Sequence, residues 1–493
     1  MIRENRWQRG CRDGYGWNKN PQGPSLVDFL QLWVPQVERS AFTQRISLTA
    51  EKRRAGRTMT ELRTLIAMGA ALLTSGAALA NDIHGYPRLA GVNMGGPHNY
   101  DDPAYQAKLA KLDMSVLNIW PGWETSRDMT MDQVVRNIKA INPKSKVFLY
   151  HISMEVSDDN ASTASYREYV DKNSWWAYPT NLSGSRILSS FGAREDKPVH
   201  VINTTLHTSK DSNGYQFWQW DARWTVNTFY KPNPSIDGFF EDNVFWKPRV
   251  DADWNKDGVT DSQSGANAGK WLREGYQKRF ELMRQLMPGK HQIGNIADWG
   301  NKSAVLTELN GALNGGIIEG ILGTSYAPEK WGSWTEMMRW YRKTMAAIAA
   351  PKFVVFHQQG SPTDYQALRY GLASCLLDDG YFAFTDPAKG YTGVVWFDEF
   401  DVELGKPVKG PSTTAWKDGV YRRDFENGIA LVNPKGNGPV EITLEEEFRR
   451  ISGKQAPGVN NGQLTKTVKL NDRDGIILKR VTAKALPKAP VLH

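Results

Sequence analysis

The sequence predicts an α/β fold: a (β/α)8 TIM barrel followed by a small C-terminal antiparallel β domain. Three observations carry this expectation. From about residue 88, short β-branched or aromatic runs alternate with helical patterns, the signature of a parallel α/β sheet. Eight such runs fit within roughly 300 residues, the strand count a (β/α)8 barrel requires. After about residue 410 the texture changes to short strand-like runs broken by Gly, Asn and Asp. A doubly wound open sheet is the rival fold. It normally carries a GxGxxG first turn, which Gly91-Val92-Asn93-Met94-Gly95-Gly96 does not match.

In order, the strands are expected over residues 89–94, 115–120, 146–151, 236–240, 291–296, 316–321, 353–357 and 381–384, and helices over 101–112, 131–141, 268–287, 304–313, 334–350 and 365–377. Between the third and fourth strands lies an excursion of some 80 residues rich in Trp, Tyr, Ser and Asn. It is too long for a plain barrel loop, and insertions of that kind on the C-terminal face shape substrate clefts. The barrel is expected over residues 85–405. The β domain is expected over 410–482, with strands at 421–425, 428–432, 440–444, 464–470 and 475–480.

The chain has 493 residues, 40% hydrophobic and 23% charged, a globular composition. Its net charge of +8 is misleading, because residues 1–58 hold 11 Lys and Arg against 5 Asp and Glu. The remainder is nearly neutral, which leaves no electrostatic case for a nucleic-acid partner. Of the two cysteines, Cys11 and Cys375, only the second falls in the expected mature chain, and cysteine usage does not fix the compartment. With no HExxH spacing and His residues scattered singly, a zinc hydrolase is not expected.

Residues 59–80, MTELRTLIAMGAALLTSGAALA, read as a secretory signal peptide: Arg63 at the positive start, a short apolar core, and an Ala78-Leu79-Ala80 cleavage site before Asn81. The stretch is too short, and too rich in Ala, Gly and Ser, for a stable membrane span after cleavage. The expectation is a secreted or periplasmic protein starting at Met59, with residues 1–58 a non-native or disordered extension.

In a barrel, residues just past the C-terminal ends of the strands line the active site. Here those positions hold Trp120, Trp123 and Glu124; His151 and Glu155; Glu241, Asp242 and Asn243; Asp298 and Trp299; Glu319; His357, Gln358 and Gln359; and Asp386. Fourteen of the 19 Trp lie between Trp120 and Trp340. Glycosidic cleavage needs one protonated carboxyl and one ionised carboxylate. Aromatic rings suit the apolar faces of sugars, and Asn, Gln and His bond their hydroxyls. Asp237-Gly238-Phe239-Phe240-Glu241-Asp242-Asn243 is the sharpest motif, and Asp242 is the first choice for a catalytic carboxylate, with Glu241 behind it. Adjacent strand residues point to opposite faces, so one of the two is expected to enter the cleft. Glu319 is the expected partner and Asp298 the reserve. Trp120, Trp123, His151, Asn243, Trp299, His357 and Gln359 are candidate substrate-binding residues.

Asp253, Asn255, Asp257 and Asp261, with Gly258 between, match the start of a calcium loop in which Val259 would bind through its carbonyl. Position 12 is Ser264 rather than Glu. A structural calcium is possible there, and no cofactor is expected for the chemistry.

Three stretches carry a resemblance: the 237–243 motif, Gly294-Asn295-Ile296-Ala297-Asp298-Trp299, and Trp396-Phe397-Asp398-Glu399-Phe400. They are joined by a tail containing Tyr421-Arg422-Arg423-Asp424-Phe425-Glu426-Asn427-Gly428 and Arg473-Asp474-Gly475-Ile476-Ile477-Leu478. Together they resemble the glycosidases of glycosyl hydrolase-like family fifteen, similar in plan to the endo-α-1,4-polygalactosaminidase barrels. The resemblance implies an acid at the end of the fourth strand, which maps onto Asp242, and a polysaccharide or oligosaccharide substrate. A non-catalytic carbohydrate-binding barrel and a metal-dependent esterase or deacetylase are the competing readings. The leader predicts an exported chain that begins at Asn81. N-terminal sequencing of the secreted protein checks this, and a chain still carrying residues 59–80 would contradict it.

Overall fold

A computed structural model describes residues 85–482 apart from 94–95, 181–184, 191–196, 303–305 and 392. The extension at 1–58 and the leader at 59–80 lie outside the described residues. Eight parallel strands form the main sheet: β1 (Ala90–Asn93), β2 (Met114–Leu117), β3 (Lys146–His151), β6 (Gly238–Glu241), β7 (His291–Asn295), β8 (Gly315–Leu322), β9 (Phe353–Gln359) and β10 (Tyr381–Thr385). The sheet closes on itself, because Leu89 bridges Phe382 in parallel and the Phe382 N–H donates to the Arg88 carbonyl at 2.8 Å. This is the (β/α)8 barrel the alternation predicts. No helix among the described residues is long and apolar enough to cross a membrane.

Side-chain alternation along each strand sorts residues between two apolar layers. Val116, Phe148, Phe240, Ile293, Ile317 and Val355 fill the barrel interior. Leu117, Leu149, Phe239, Ile318 and Phe356 face outward against the helices. One residue pair further along, the same alternation directs Tyr150 on β3, Asp242 just past β6, Asn295 on β7 and Glu319 on β8 inward. They stand above the floor made by Phe148, Phe240, Ile293 and Ile317. Four polar side chains on four neighbouring strands are therefore carried to the same end of the barrel, in a register that pairs Tyr150 with Phe240, Phe240 with Ile293 and Asn295 with Ile317.

The helices supply the outer layer. A helix at Met131–Ile141 starts with a Thr130–Gln133 capping box and turns Met131, Val134, Val135 and Ile138 to the barrel. The excursion after β3 folds into a two-stranded antiparallel pair, β4 (Glu155–Ser157) with β5 (Val199–Val201), and two helices, Ala164–Lys172 and Phe217–Thr225. Its Trp content mostly builds a core of its own, with Trp175 and Trp176 fully buried beside Tyr166, Val170, Ile202 and Phe217. The second of these helices packs on the long helix Ala266–Leu286.

A buried ionic network ties these parts together. Arg279 of the long helix donates to Glu241 (2.9 Å) and Asp221 (2.5 Å), and Tyr166 donates to Asp221 at 2.8 Å. Glu241 also accepts from the Ser153 N–H at 2.8 Å and pairs with His151 Nδ1 at 3.0 Å. Burial alone would raise the Glu241 carboxyl, but the Arg279 and His151 charges and the hydrogen bonds outweigh it, holding it down to about 2.

After the barrel, β11 (Tyr421–Asp424), β12 (Gly428–Asn433), β13 (Val440–Arg450), β14 (Leu464–Leu470) and β15 (Asp474–Arg480) make an antiparallel sheet in the order β11-β12-β15-β13-β14. It docks on the helix Tyr365–Leu376, where Arg369 donates to the Gly475 carbonyl at 3.1 Å and pairs with Asp474 at 3.2 Å. Replacing Arg279 by Met leaves Asp221 and Glu241 buried without their cation. Breaking a buried pair on one side costs about 3–5 kcal/mol. Chemical denaturation of Arg279→Met is expected to register a loss of that size, and a change within 1 kcal/mol would contradict the role given to this network.

Candidate active site

Asp242, Glu319, Asn295, Tyr150 and Tyr391 meet at the C-terminal mouth of the barrel. Asn295 Nδ2 donates to Asp242 Oδ1 at 3.0 Å and to Glu319 Oε2 at 2.7 Å, so a single amide spans the two carboxylates. Tyr150 donates to Asp242 Oδ2 at 2.8 Å, and the Asn243 N–H donates to Oδ1 at 2.8 Å. Tyr391, on the loop after β10, donates to Glu319 Oε1 at 2.5 Å. Both carboxylates are half-buried, closed below by the apolar floor and reachable from the mouth.

Burial, then the neighbouring Asp242 charge, pushes the Glu319 carboxyl up to about 7, against the hydrogen bonds from Tyr391 and Asn295. Burial also raises Asp242, while Tyr150, Asn295 and the Asn243 N–H favour its ionised form. Two carboxyls this close do not both ionise freely, and the proton settles where fewer donors favour the anion. Asp242 has three donors and Glu319 has two. Asp242 therefore carries the charge and Glu319 the proton.

A third carboxyl stands beside them. Glu155, at the start of β4, accepts from Asn243 Nδ2 at 3.0 Å and from the Ser189 hydroxyl, and burial pushes it up to about 7. It lines a small pocket with Met154, Ser189, Phe245, Arg249 and Trp254.

The structure separates the sequence candidates. Asp242 and Glu319 come together at the mouth, and Asn243 borders them with left-handed φ of 54°. Glu241 and His151 face the helix layer and belong to the Arg279 network instead, since alternation sends neighbours of inward residues outward. Asp298 pairs with Arg249 at 3.1 Å, and burial raises it to about 6. Trp123 and Trp299 are core residues whose indole N–H groups donate to the Pro97 carbonyl (3.3 Å) and the Val244 carbonyl (2.6 Å). Trp120 is half-buried with its ring 6.3 Å from that of His98, and Gln359 is half-buried at the end of β9. His357 is fully buried, accepts from the Gly320 N–H at 3.2 Å, and is pushed down to about 3 by burial, so it stays neutral below Tyr391.

The loop considered for calcium is cross-linked by hydrogen bonds among its own groups. Asp253 accepts from the Asp257 and Gly258 N–H groups at 3.0 and 2.9 Å, Asp257 from the Val259 N–H at 2.8 Å and from Asn255 at 2.7 Å, and Asp261 from the Trp254 N–H at 2.9 Å. Among the described residues no group of three His, Cys, Asp or Glu side chains is disposed to hold a metal ion. The 396–400 motif braces the β domain: Asp398 accepts from the Gln455 N–H at 2.6 Å, and Glu399 from Asn460 at 2.9 Å.

Sequence reasoning passed over Asn295, Tyr150 and Tyr391 as site residues. The signal for the first two was present, because each follows an inward apolar residue by two positions on its strand. Tyr391 sits in a loop, where periodicity says nothing.

Comparison with known proteins places this geometry. The model of hypothetical glycosyl hydrolase family 15 matches residues 139–429, more than half of the chain. No curated protein matches significantly. Similar solved structures include an alpha-amylase from Malbranchea cinnamomea, at 9% identity and TM-score 0.46, covering 78% of this chain and 89% of that one. The glycoside hydrolase domain of PelA from Pseudomonas aeruginosa aligns at 14% identity and TM-score 0.37, covering 63% and 98%. A trehalulose synthase MutB variant aligns at 12% identity and TM-score 0.44, covering 80% and 98%. With the family match spanning strands β3 to β11 and both inward carboxylates, the chain belongs to hypothetical glycosyl hydrolase family 15 and is a glycosidase built on a (β/α)8 barrel.

Proposed function

We propose that the protein is a secreted glycosidase that cleaves a polysaccharide or oligosaccharide with retention of anomeric configuration, using Asp242 as nucleophile and Glu319 as acid and base. The observation that carries this reading is the shared Asn295 amide. Oxygens 3.0 and 2.7 Å from one nitrogen are at most about 5.7 Å apart. Retaining glycosidases hold their carboxyls about 5–5.5 Å apart, and inverting ones about 6.5–9.5 Å, to admit a water. A ceiling of about 5.7 Å on this oxygen pair supports the retaining spacing.

In the first step the ionised Asp242 attacks the anomeric carbon, and the Glu319 proton passes to the glycosidic oxygen as its bond to that carbon breaks. An ester between the sugar and Asp242 results. Glu319, now a carboxylate, takes a proton from an incoming water, whose oxygen displaces Asp242 and releases the sugar. Tyr150 and Asn295 hold Asp242 in its attacking orientation. Tyr391 fixes Glu319 on the leaving-group side. The leader at residues 59–80 supports action outside the cytoplasm.

The test is release of new reducing ends from a panel of bacterial and plant polysaccharides. Asp242→Asn and Glu319→Gln, both still folded, are expected to lose about 100-fold or more. The first anomer formed, followed by NMR, is expected to match that of the cleaved bond. The wild-type rate is expected to fall as pH rises through about 7, because Glu319 gives up the proton the leaving oxygen needs. An inverted product removes the double displacement. Variants that bind a glycan as well as an equally inactive wild type favour the non-catalytic barrel.

A further inference from the structure

Among the described residues three large aromatic side chains are exposed: Tyr326 (45%), Trp331 (56%) and Trp416 (39%). Two of them stand in one short segment immediately after β8, the strand that carries Glu319. Exposed apolar rings are costly to leave in water, and a rigid pair of them beside a reaction centre marks a binding surface.

The segment is built to hold the Tyr326 ring next to Glu319. Gly320, at φ +63°, has no side chain. A Cβ there would lie 2.5 Å from Thr324 Cγ2 and 2.8 Å from the Tyr326 hydroxyl oxygen. The phenol thus rests against the backbone of the residue following Glu319, where burial, and after it the nearby Glu319 charge, raises its pKa. Trp331 donates from Nε1 to the Tyr326 carbonyl at 3.3 Å and meets the Trp340 ring edge-on at 5.6 Å. Glu329, buried between them in sequence, is held by Arg473 of the β domain at 3.0 Å. Both rings are therefore fixed from below while their outer faces stay open to solvent.

We infer that Tyr326 and Trp331 form a sugar-stacking subsite on the leaving-group side of the cleavage point, Tyr326 taking the pyranose next to the scissile bond and Trp331 one further along. The assignment of side rests on the proposed function: Glu319 protonates the oxygen of the departing sugar, so the ring beside Glu319 lies under that sugar. Flat apolar rings suit the C–H faces of pyranoses and leave the hydroxyls to water and to the polar mouth. The C-terminal β domain, through Arg473, helps to set the position of this subsite.

The test is a microarray of bacterial, fungal and plant glycans probed with the Asp242→Asn protein, alone and combined with Tyr326→Ala, Trp331→Ala, Tyr326→Phe or Trp416→Ala. Glycans retained by Asp242→Asn are expected to bind about tenfold or more weakly once either Tyr326 or Trp331 is cut to Ala, a loss typical of a central aromatic contact. Tyr326→Phe, which keeps the ring, and Trp416→Ala, on the segment leading into β11, are expected to bind as the parent does. Unchanged binding in both alanine variants overturns the subsite, as does failure of the Asp242→Asn protein to retain any glycan. Hydrolysis of the retained glycans by the wild type separates the two claims. Binding that depends on the rings without hydrolysis keeps the subsite and sinks the catalytic reading, and hydrolysis indifferent to the rings does the reverse.

Discussion

The Asn295 amide, shared between Asp242 and Glu319, is the contact on which the proposed chemistry depends. It requires three neighbouring strands to present inward side chains at the same end of the barrel, and β6, β7 and β8 do so, with Asn295 opposite Ile317, two residues before Glu319. It sets how far apart the carboxylates stand. It also makes their protonation a joint property, because a charge on one raises the other across a site with an apolar floor. Tyr150 and Tyr391 add one donor to each carboxylate, and the Asn243 N–H breaks the symmetry by tipping the negative charge toward Asp242.

Directly behind this site, alternation puts the opposite electrostatic arrangement. Glu241 and Asp242 are consecutive, yet one is held down to about 2 by Arg279 and His151 and the other is raised in a cleft that contains no cation partner for it among its hydrogen bonds. The outward carboxylate is used for fastening. It joins the end of β6 to the long helix, to the excursion through Asp221, and to the start of the loop after β3 through Ser153. The inward one is held by neutral donors, Tyr150, Asn295 and the Asn243 N–H, and is the carboxylate to which the proposed reaction assigns the attack. A segment of two residues thereby supplies both the bracing of the mouth and its candidate nucleophile.

Much of this was legible in the sequence. Strand spacing predicts the barrel, and the acidic end of the fourth barrel strand points to Asp242. Glu319 stands out by following an apolar strand at the right place in the count. The parity argument that admits only one of Glu241 and Asp242 also excludes His151, whose register partner is Glu241, though that requires knowing the pairing of β3 with β6. Trp123 and Trp299 could not be told from sugar platforms by composition, because burial of an indole depends on which carbonyl its N–H can reach. Tyr391 and Tyr326 lie in loops and Trp331 on the one-turn helix Pro328–Gly332, whose positions are set by tertiary contacts such as Arg473 with Glu329 rather than by any local pattern.

The central claim, that Asp242 and Glu319 titrate as a coupled pair with the proton on Glu319, is tested most directly without any substrate. Carboxyl-carbon NMR of protein labelled in its Asp and Glu side chains would follow Glu319, identified by its loss in Glu319→Gln, across the pH range in wild type and in Asp242→Asn. The account predicts that Glu319 titrates near 7 in the wild type and at a lower pH once the Asp242 charge is removed. A Glu319 carboxyl that titrates near the ordinary glutamate value of about 4.3, and does not respond to Asp242→Asn, would contradict it.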